Sequence, residues 1–308
     1  MKQQLTNRIF MVRPKHFGFN LETEASNKFQ KNISILNAEE IRDKALLEFD
    51  NMVNTLTTKG VDVDVFEDLP DTILPDSVFP NNWISTEENG TIYTYPMQAL
   101  IRRQERREDI VEKLTEKYLV TKRYSLELFE EQEQYLEGTG SLILDRIHKI
   151  AYACLSPRTD PRVLHKFALL SGYQTVLFNA VDAQKNEIYH TNVMMAMGSD
   201  FVICCMESIP ESQQQKLLES FSQTDKELVE ISFSQMNQFA GNMLLLKNHK
   251  GSPLLVCSES AYNSLTRNQR VRFEKSAELV VIPLDIIETV GGGSARCMIA
   301  ENFLPVHI

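Results

Sequence analysis

The 308-residue chain contains no uninterrupted apolar run approaching the roughly 20 residues that a membrane-spanning helix requires. Its first residues, MKQQLTNRIFMVRP, hold only a short apolar core and no cleavage-like flank, so neither a leader nor a membrane anchor is expected and the reading is a cytoplasmic protein. Basic charge is also in short supply. Thirty-two Lys and Arg against 42 Asp and Glu leave a net charge of −10, which is poorly suited to a phosphate backbone, and no nucleic-acid partner is expected. Paired cysteines are missing as well. Cys154, Cys204, Cys205, Cys257 and Cys297 are odd in number and lack the spacing of a disulfide framework or a zinc site, so no structural metal is read. Cys204 and Cys205 are adjacent in a strand-like segment, where neighbouring side chains point to opposite faces.

What is present is a chain with 43% hydrophobic residues, enough for a large core, at a length that fits one big domain or two tight ones. A strand is expected at Arg8 to Val12. Asn37 followed by Glu39 and Glu40 opens a helix whose apolar residues Ile41, Ala45, Leu46, Phe49, Met52, Val53 and Leu56 recur at helical spacing until Gly60. VDVDVFE alternates at period two, as a half-exposed strand does. IRRQERREDIVEKLTEKYL reads as one charged surface helix, its arginines paired with nearby acids and solvated. Asp160 and Pro161 start a helix that Gly172 stops, and a further helix runs from Asn263 towards Phe273. Strands, a helix and more strands recur several times, the mark of a repeated α/β architecture.

Chemistry concentrates near the C-terminus. ETVGGGSARCMIAENF places Cys297 just behind Gly291, Gly292 and Gly293, where backbone is expected to bend sharply or approach something closely. A thiol held in such a turn has N–H donors at hand and can serve as a nucleophile. The plain alternative is a small hydrophobe at the start of a core strand. Elsewhere, Glu137 stands before Gly138 and Gly140 in a stretch that is no dinucleotide fingerprint, because the glycine spacing is wrong and no helix is expected to follow. Asn81 and Asn82 sit between Phe79 and the one tryptophan, Trp83, either lining a pocket or forming an ordinary turn. Arg158 lies in a loop where a guanidinium could grip a carboxylate or pair at the surface. His190 and Asn192 are two positions apart and share one face of an extended segment.

Together, FPNNW, LEGTGS, SPRTD, YHTN and GGGSARCMIAE resemble the superfamily of arginine deiminases, dimethylarginine hydrolases and amidinotransferases, and within it the citrulline-utilization hydrolases. The C-terminal motif is the specific one. The resemblance implies a single catalytic domain over 1–308 with an α/β fold, a pseudo-fivefold α/β propeller of ββαβ units (pentein-like) around a polar channel. It implies Cys297 as nucleophile, His190 as acid/base and Glu137 as a carboxylate that binds substrate nitrogen and helps move protons, with no cofactor. Asn82 and Asn192 stand where arginine deiminases carry aspartates. An amide offers both an acceptor and a donor, which suits a neutral ureido group better than a guanidinium. Arg158 is the candidate for the carboxylate of a small amino-acid substrate, and a homodimer is left open. The function expected first is hydrolysis of a linear ureido compound, citrulline to ornithine; a deiminase, dihydrolase or transferase on a guanidino compound comes second and a non-catalytic binding scaffold third.

Overall fold

The computed structural model describes residues 3–33 and 35–307. Five three-stranded sheets share one plan: a first strand pairs antiparallel with a second, a helical connection follows, and a third strand returns parallel to the second. The second sheet shows it, with Ile84–Thr86 antiparallel to Thr91–Thr94, the helix Glu108–Lys117, and Lys122–Ser125 parallel to Thr91–Thr94. The next three repeats begin at Ile143–Asp145, Met195–Met197 and Leu244–Lys247. This is the pseudo-fivefold ββαβ propeller.

The remaining sheet joins the two ends of the chain. Arg8–Arg13 pairs parallel with Asp62–Glu67 and antiparallel with Ala300–Glu301, in the register Ile9 to Glu301 and Phe10 to Ala300. The last strand therefore serves as the first strand of the first repeat. The segment that precedes it, including Cys297, is fixed by ring closure.

Burial follows the same plan. Ile84–Thr86, Ile143–Asp145 and Met195–Met197 are buried at every residue, while Lys122–Ser125 on the outside is mostly exposed. The helix Ala38–Thr58 starts where expected, with Asn37 accepting from the Glu40 N–H and Glu40 reaching back to the Asn37 N–H. It buries Ile41, Ala45, Phe49, Met52 and Leu56 in a cluster with Leu254, Val256, Val280 and Ile282 of another repeat, each large side chain contributing about 1.5–3 kcal/mol.

Three local expectations are corrected. The arginine-rich run is two elements, a 3-10 helix Ile101–Glu105 and the helix Glu108–Lys117, and Arg102 and Glu105 are buried. Residues 263–273 are likewise divided, because Thr266 forms a capping box with Gln269 and opens Arg267–Glu274 after the shorter Glu259–Ser264. Finally, a one-turn helix, Gly138–Ser141, does follow Glu137, whose carbonyl accepts the N–H groups of Gly140 and Ser141. No helix among the described residues is long and apolar enough to cross a membrane.

Candidate active site

Each of the five repeats is led into by a tight turn, and four of these turns carry the residues singled out from the sequence. Asn82 ends the 3-10 helix Pro80–Asn82, Glu137 caps Gly138–Ser141, and Asn192 lies in the 3-10 helix Thr191–Val193 just behind His190. Cys297 occupies the turn before Ala300–Glu301, its N–H donating to the Ser294 carbonyl at 2.9 Å. It belongs to that turn, not to a core strand.

The triple glycine makes this turn fit. Gly292 has φ +64°, a left-handed conformation, and a Cβ there would lie 2.6 Å from Asn27 Nδ2 and 2.7 Å from the Gln30 backbone N. The close approach is therefore to the protein's own loop around residues 27–30. Asn27 Nδ2 donates to the carbonyls of Gly291 and Gly292, and the Tyr189 hydroxyl donates to the Gly292 carbonyl at 2.7 Å.

Cys297, His190, Asn82, Arg158, Asp76, Arg102 and Tyr189 line one cavity of about 10 Å³, room for about one water. Cys297 Sγ accepts from Asn192 Nδ2 at 3.3 Å and from Asn242 Nδ2 at 3.2 Å. Its four fellow cysteines are buried, and burial pushes the thiols of Cys154, Cys205 and Cys257 up to about 12, so they stay protonated at neutral pH.

Glu137 lies behind His190 and off the cavity wall, with its oxygens already engaged. Oε1 accepts the Gln98 N–H at 3.0 Å; Oε2 is 2.8 Å from His190 Nε2 and 3.4 Å from Arg158 Nη1. Burial opposes ionisation of Glu137, but Arg158, His190 and Arg102 outweigh it and hold the carboxyl well below the usual range. Burial pushes His190 down to about 4 against the pull of Glu137. The consistent state at neutral pH is a carboxylate accepting Nε2–H from a neutral imidazole. Nδ1 makes no hydrogen bond among the described residues.

Arg158 spans Glu137 and Ser26: Nε and Nη2 reach Ser26 Oγ at 3.2 and 2.6 Å, and its guanidinium stands 4.9 Å over the Tyr189 ring. Asn82 Oδ1 accepts from Arg102 Nη1 at 2.9 Å, and Asn82 Nδ2 donates to Asn81 Oδ1. Arg102 forks onto Glu105 and lies 3.6 Å from Asp76 Oδ2 and 3.9 Å from Glu137 Oε2. Asp76 Oδ1 and Asn192 Oδ1 are buried without a hydrogen-bond partner among the described residues, which marks them as groups able to receive a ligand.

Sequence reasoning did not single out Arg102, Asp76 or Asn242. Arg102 sits in a charge run that reads as solvated, and Asp76 among prolines. Asn242 did carry a signal: NNWIS, TNVMM and GNMLL each set an asparagine just before a buried strand. No group of three or more His, Cys, Asp or Glu side chains suited to a metal occurs among the described residues.

Comparison with known proteins agrees with the fold. A cyanobacterial arginine dihydrolase of the ornithine–ammonia cycle superposes with a TM-score of 0.74 at 17% identity, over 97% of this chain and 41% of the other. This chain thus spans about two fifths of that protein's length. The N-terminal domain of the same enzyme, bound to product, gives a TM-score of 0.72 at 18% identity over 97% and 99% of the two chains. An adduct of dimethylarginine dimethylaminohydrolase with S-methyl-L-thiocitrulline gives 0.64 at 15% over 96% and 99%. No curated protein matches in sequence. A family model described as N,N dimethylarginine dimethylhydrolase, eukaryotic, matches residues 13–304. The chain belongs to this family, and with it to the arginine deiminase and amidinotransferase superfamily of enzymes that act on non-peptide C–N bonds.

Proposed function

We propose that the chain is a cysteine-dependent hydrolase that cleaves the bond between the ureido carbon and the side-chain nitrogen of a linear ureido amino acid, converting citrulline to ornithine. The position of Glu137 carries this reading. It is committed to His190, the Gln98 N–H and Arg158, and the groups at the reacting end, Asn82 and Asn192, are neutral amides. A guanidinium would enter beside Arg102 and Arg158 with Glu137 already engaged and with neutral amides at positions 82 and 192.

Cys297 attacks the ureido carbon, and its thiol proton passes to the neutral His190. His190 then protonates the departing nitrogen as the C–N bond breaks, leaving ornithine and an S-carbamoyl enzyme. Water adds to the carbonyl carbon, the S–C bond breaks and the sulfur recovers its proton. The carbamate released decomposes to carbon dioxide and ammonia. Arg158 holds the substrate carboxylate by exchanging its bonds to Ser26, a neutral and replaceable partner. The orphan oxygen of Asp76 takes the α-ammonium.

Asp76 also supports a second reading, towards which the relatives' names weigh. As a carboxylate on the cavity wall with one oxygen unpartnered among the described residues, it could receive a guanidinium, making this chain a deiminase or dihydrolase of arginine or a methylarginine. Incubating the protein with citrulline, arginine, methylated arginines and agmatine, with ornithine, citrulline and ammonia scored separately, decides between them. The first reading requires a higher kcat/KM for ornithine from citrulline than for any reaction of arginine. The opposite order establishes the second.

A further inference from the structure

Asn242 is 1% exposed and uses both ends of its amide. Oδ1 accepts the Arg296 N–H at 3.1 Å, and Nδ2 donates to the Asn192 carbonyl at 2.9 Å and to Cys297 Sγ at 3.2 Å. The two backbone partners have fixed polarity, so the amide can face only one way and the group against the sulfur is a donor. One Nδ2 hydrogen serves the turn behind His190 and the other serves the nucleophile. The preceding residue shows how firmly this is held. A Cβ at Gly241 would lie 2.3 Å from the Val193 carbonyl oxygen, so the backbone beside Asn242 is pressed directly onto that turn.

No Lys, Arg or His among the described residues hydrogen-bonds to Sγ; its two donors are Asn192 and Asn242. Amide N–H groups favour a thiolate over a thiol because a charged acceptor makes the stronger hydrogen bond. Of the two, Asn242 alone has its orientation enforced by backbone on both sides. We infer that Asn242 is a further catalytic residue of this site, stabilising the Cys297 thiolate and fixing the sulfur against the turn that carries His190 and Asn192. The inference rests on Cys297 being the nucleophile and is independent of the substrate.

The test follows thiolate absorbance in the ultraviolet against pH, as the difference between each protein and its Cys297→Ser counterpart. Asn242→Leu keeps the size and removes the donor; the midpoint should rise by about one pH unit and kcat fall about tenfold. Asn242→Asp keeps the acceptor for Arg296 but places a carboxylate on the sulfur, and its midpoint should rise further. A merely structural role would not order the two variants this way. If Asn242→Leu does not fold, Asn242→Ser is read in the same manner. Unchanged midpoints in folded variants overturn the inference. Failure of the nucleophile assignment is seen separately, as turnover that survives Cys297→Ser.

Discussion

His190 Nε2 lies 2.8 Å from Glu137 Oε2, and neither residue is more than 2% exposed. The carboxylate fixes the ring orientation and stabilises the imidazolium that forms during proton transfer. Because Glu137 is off the cavity wall, Glu137→Gln should lower kcat by about 10²-fold with a much smaller change in KM. Steady-state kinetics check this, and an effect mainly on KM would return Glu137 to direct substrate contact.

Arg102 is the side chain on which three buried carboxylates converge. Removing one partner of such a network leaves uncompensated charge in the interior, so Arg102→Met should cost about 3–5 kcal/mol. Denaturant unfolding measures it. A loss below about 1 kcal/mol, the range of an exposed pair, would show that the network is solvated in solution.

The contrast between Arg102 and Cys297 shows what the sequence could convey. Three glycines before a cysteine demand an unusual backbone, and Asn37 with Glu40 spells a helix cap; both are local signals read within a few residues. The fivefold plan was legible through resemblance, since strand periodicity indicates repetition but not which strands meet across the ring. Arg102 was illegible. Four arginines among acids describe a solvated face equally well, and only the meeting of Asp76, Glu105 and Glu137 around one guanidinium distinguishes it. Glu137 was singled out as a site residue, but that it stands behind His190 depends on the Gln98 N–H and Arg158, distant in sequence.

Arg158 donates to Ser26 Oγ through two nitrogens, a weaker arrangement than a paired carboxylate would give. Arg158→Gln should raise KM for a free amino-acid substrate about tenfold or more, and much less for the analogue lacking the α-carboxylate. Equal effects on both would assign Arg158 to holding Glu137 alone.

Glu48, on the helix Ala38–Thr58, accepts the N–H groups of Ile286 and Ile287 at 2.8 and 3.0 Å, at the start of the segment that runs into the triple glycine. Burial, with Asp285 and Glu288 adding to it, pushes its carboxyl from 4.5 up to about 7. The folded state thus binds the Glu48 proton more tightly than the unfolded state. The contribution to stability is full below about pH 4.5 and is lost as pH rises through about 7. Glu48→Gln mimics the protonated form, so its Tm relative to wild type should improve between pH 5 and 8. A constant difference across that range would place the titration elsewhere.

Charge selection separates the two functional readings most directly. Citrulline and arginine share their backbone and most of their length, so discrimination must come from the terminal group. Asn82 already offers Oδ1 to Arg102, and Asn192 offers Nδ2 to Cys297 with Oδ1 unpartnered. A neutral urea can use that free acceptor, whereas a guanidinium would add a cation near Arg102 and Arg158. In the double variant Asn82→Asp with Asn192→Asp, one new carboxylate faces Arg102 and the other replaces a donor on the sulfur. Citrulline turnover should therefore fall, through both the lost acceptor–donor match and a less stable thiolate, while arginine binds more tightly. Arginine affinity, measured by calorimetry with Cys297→Ser in both backgrounds so that no turnover intervenes, isolates the charge effect. Unchanged or weaker arginine binding in the double variant would mean that these two amides do not set substrate charge, and would shift selection to Asp76.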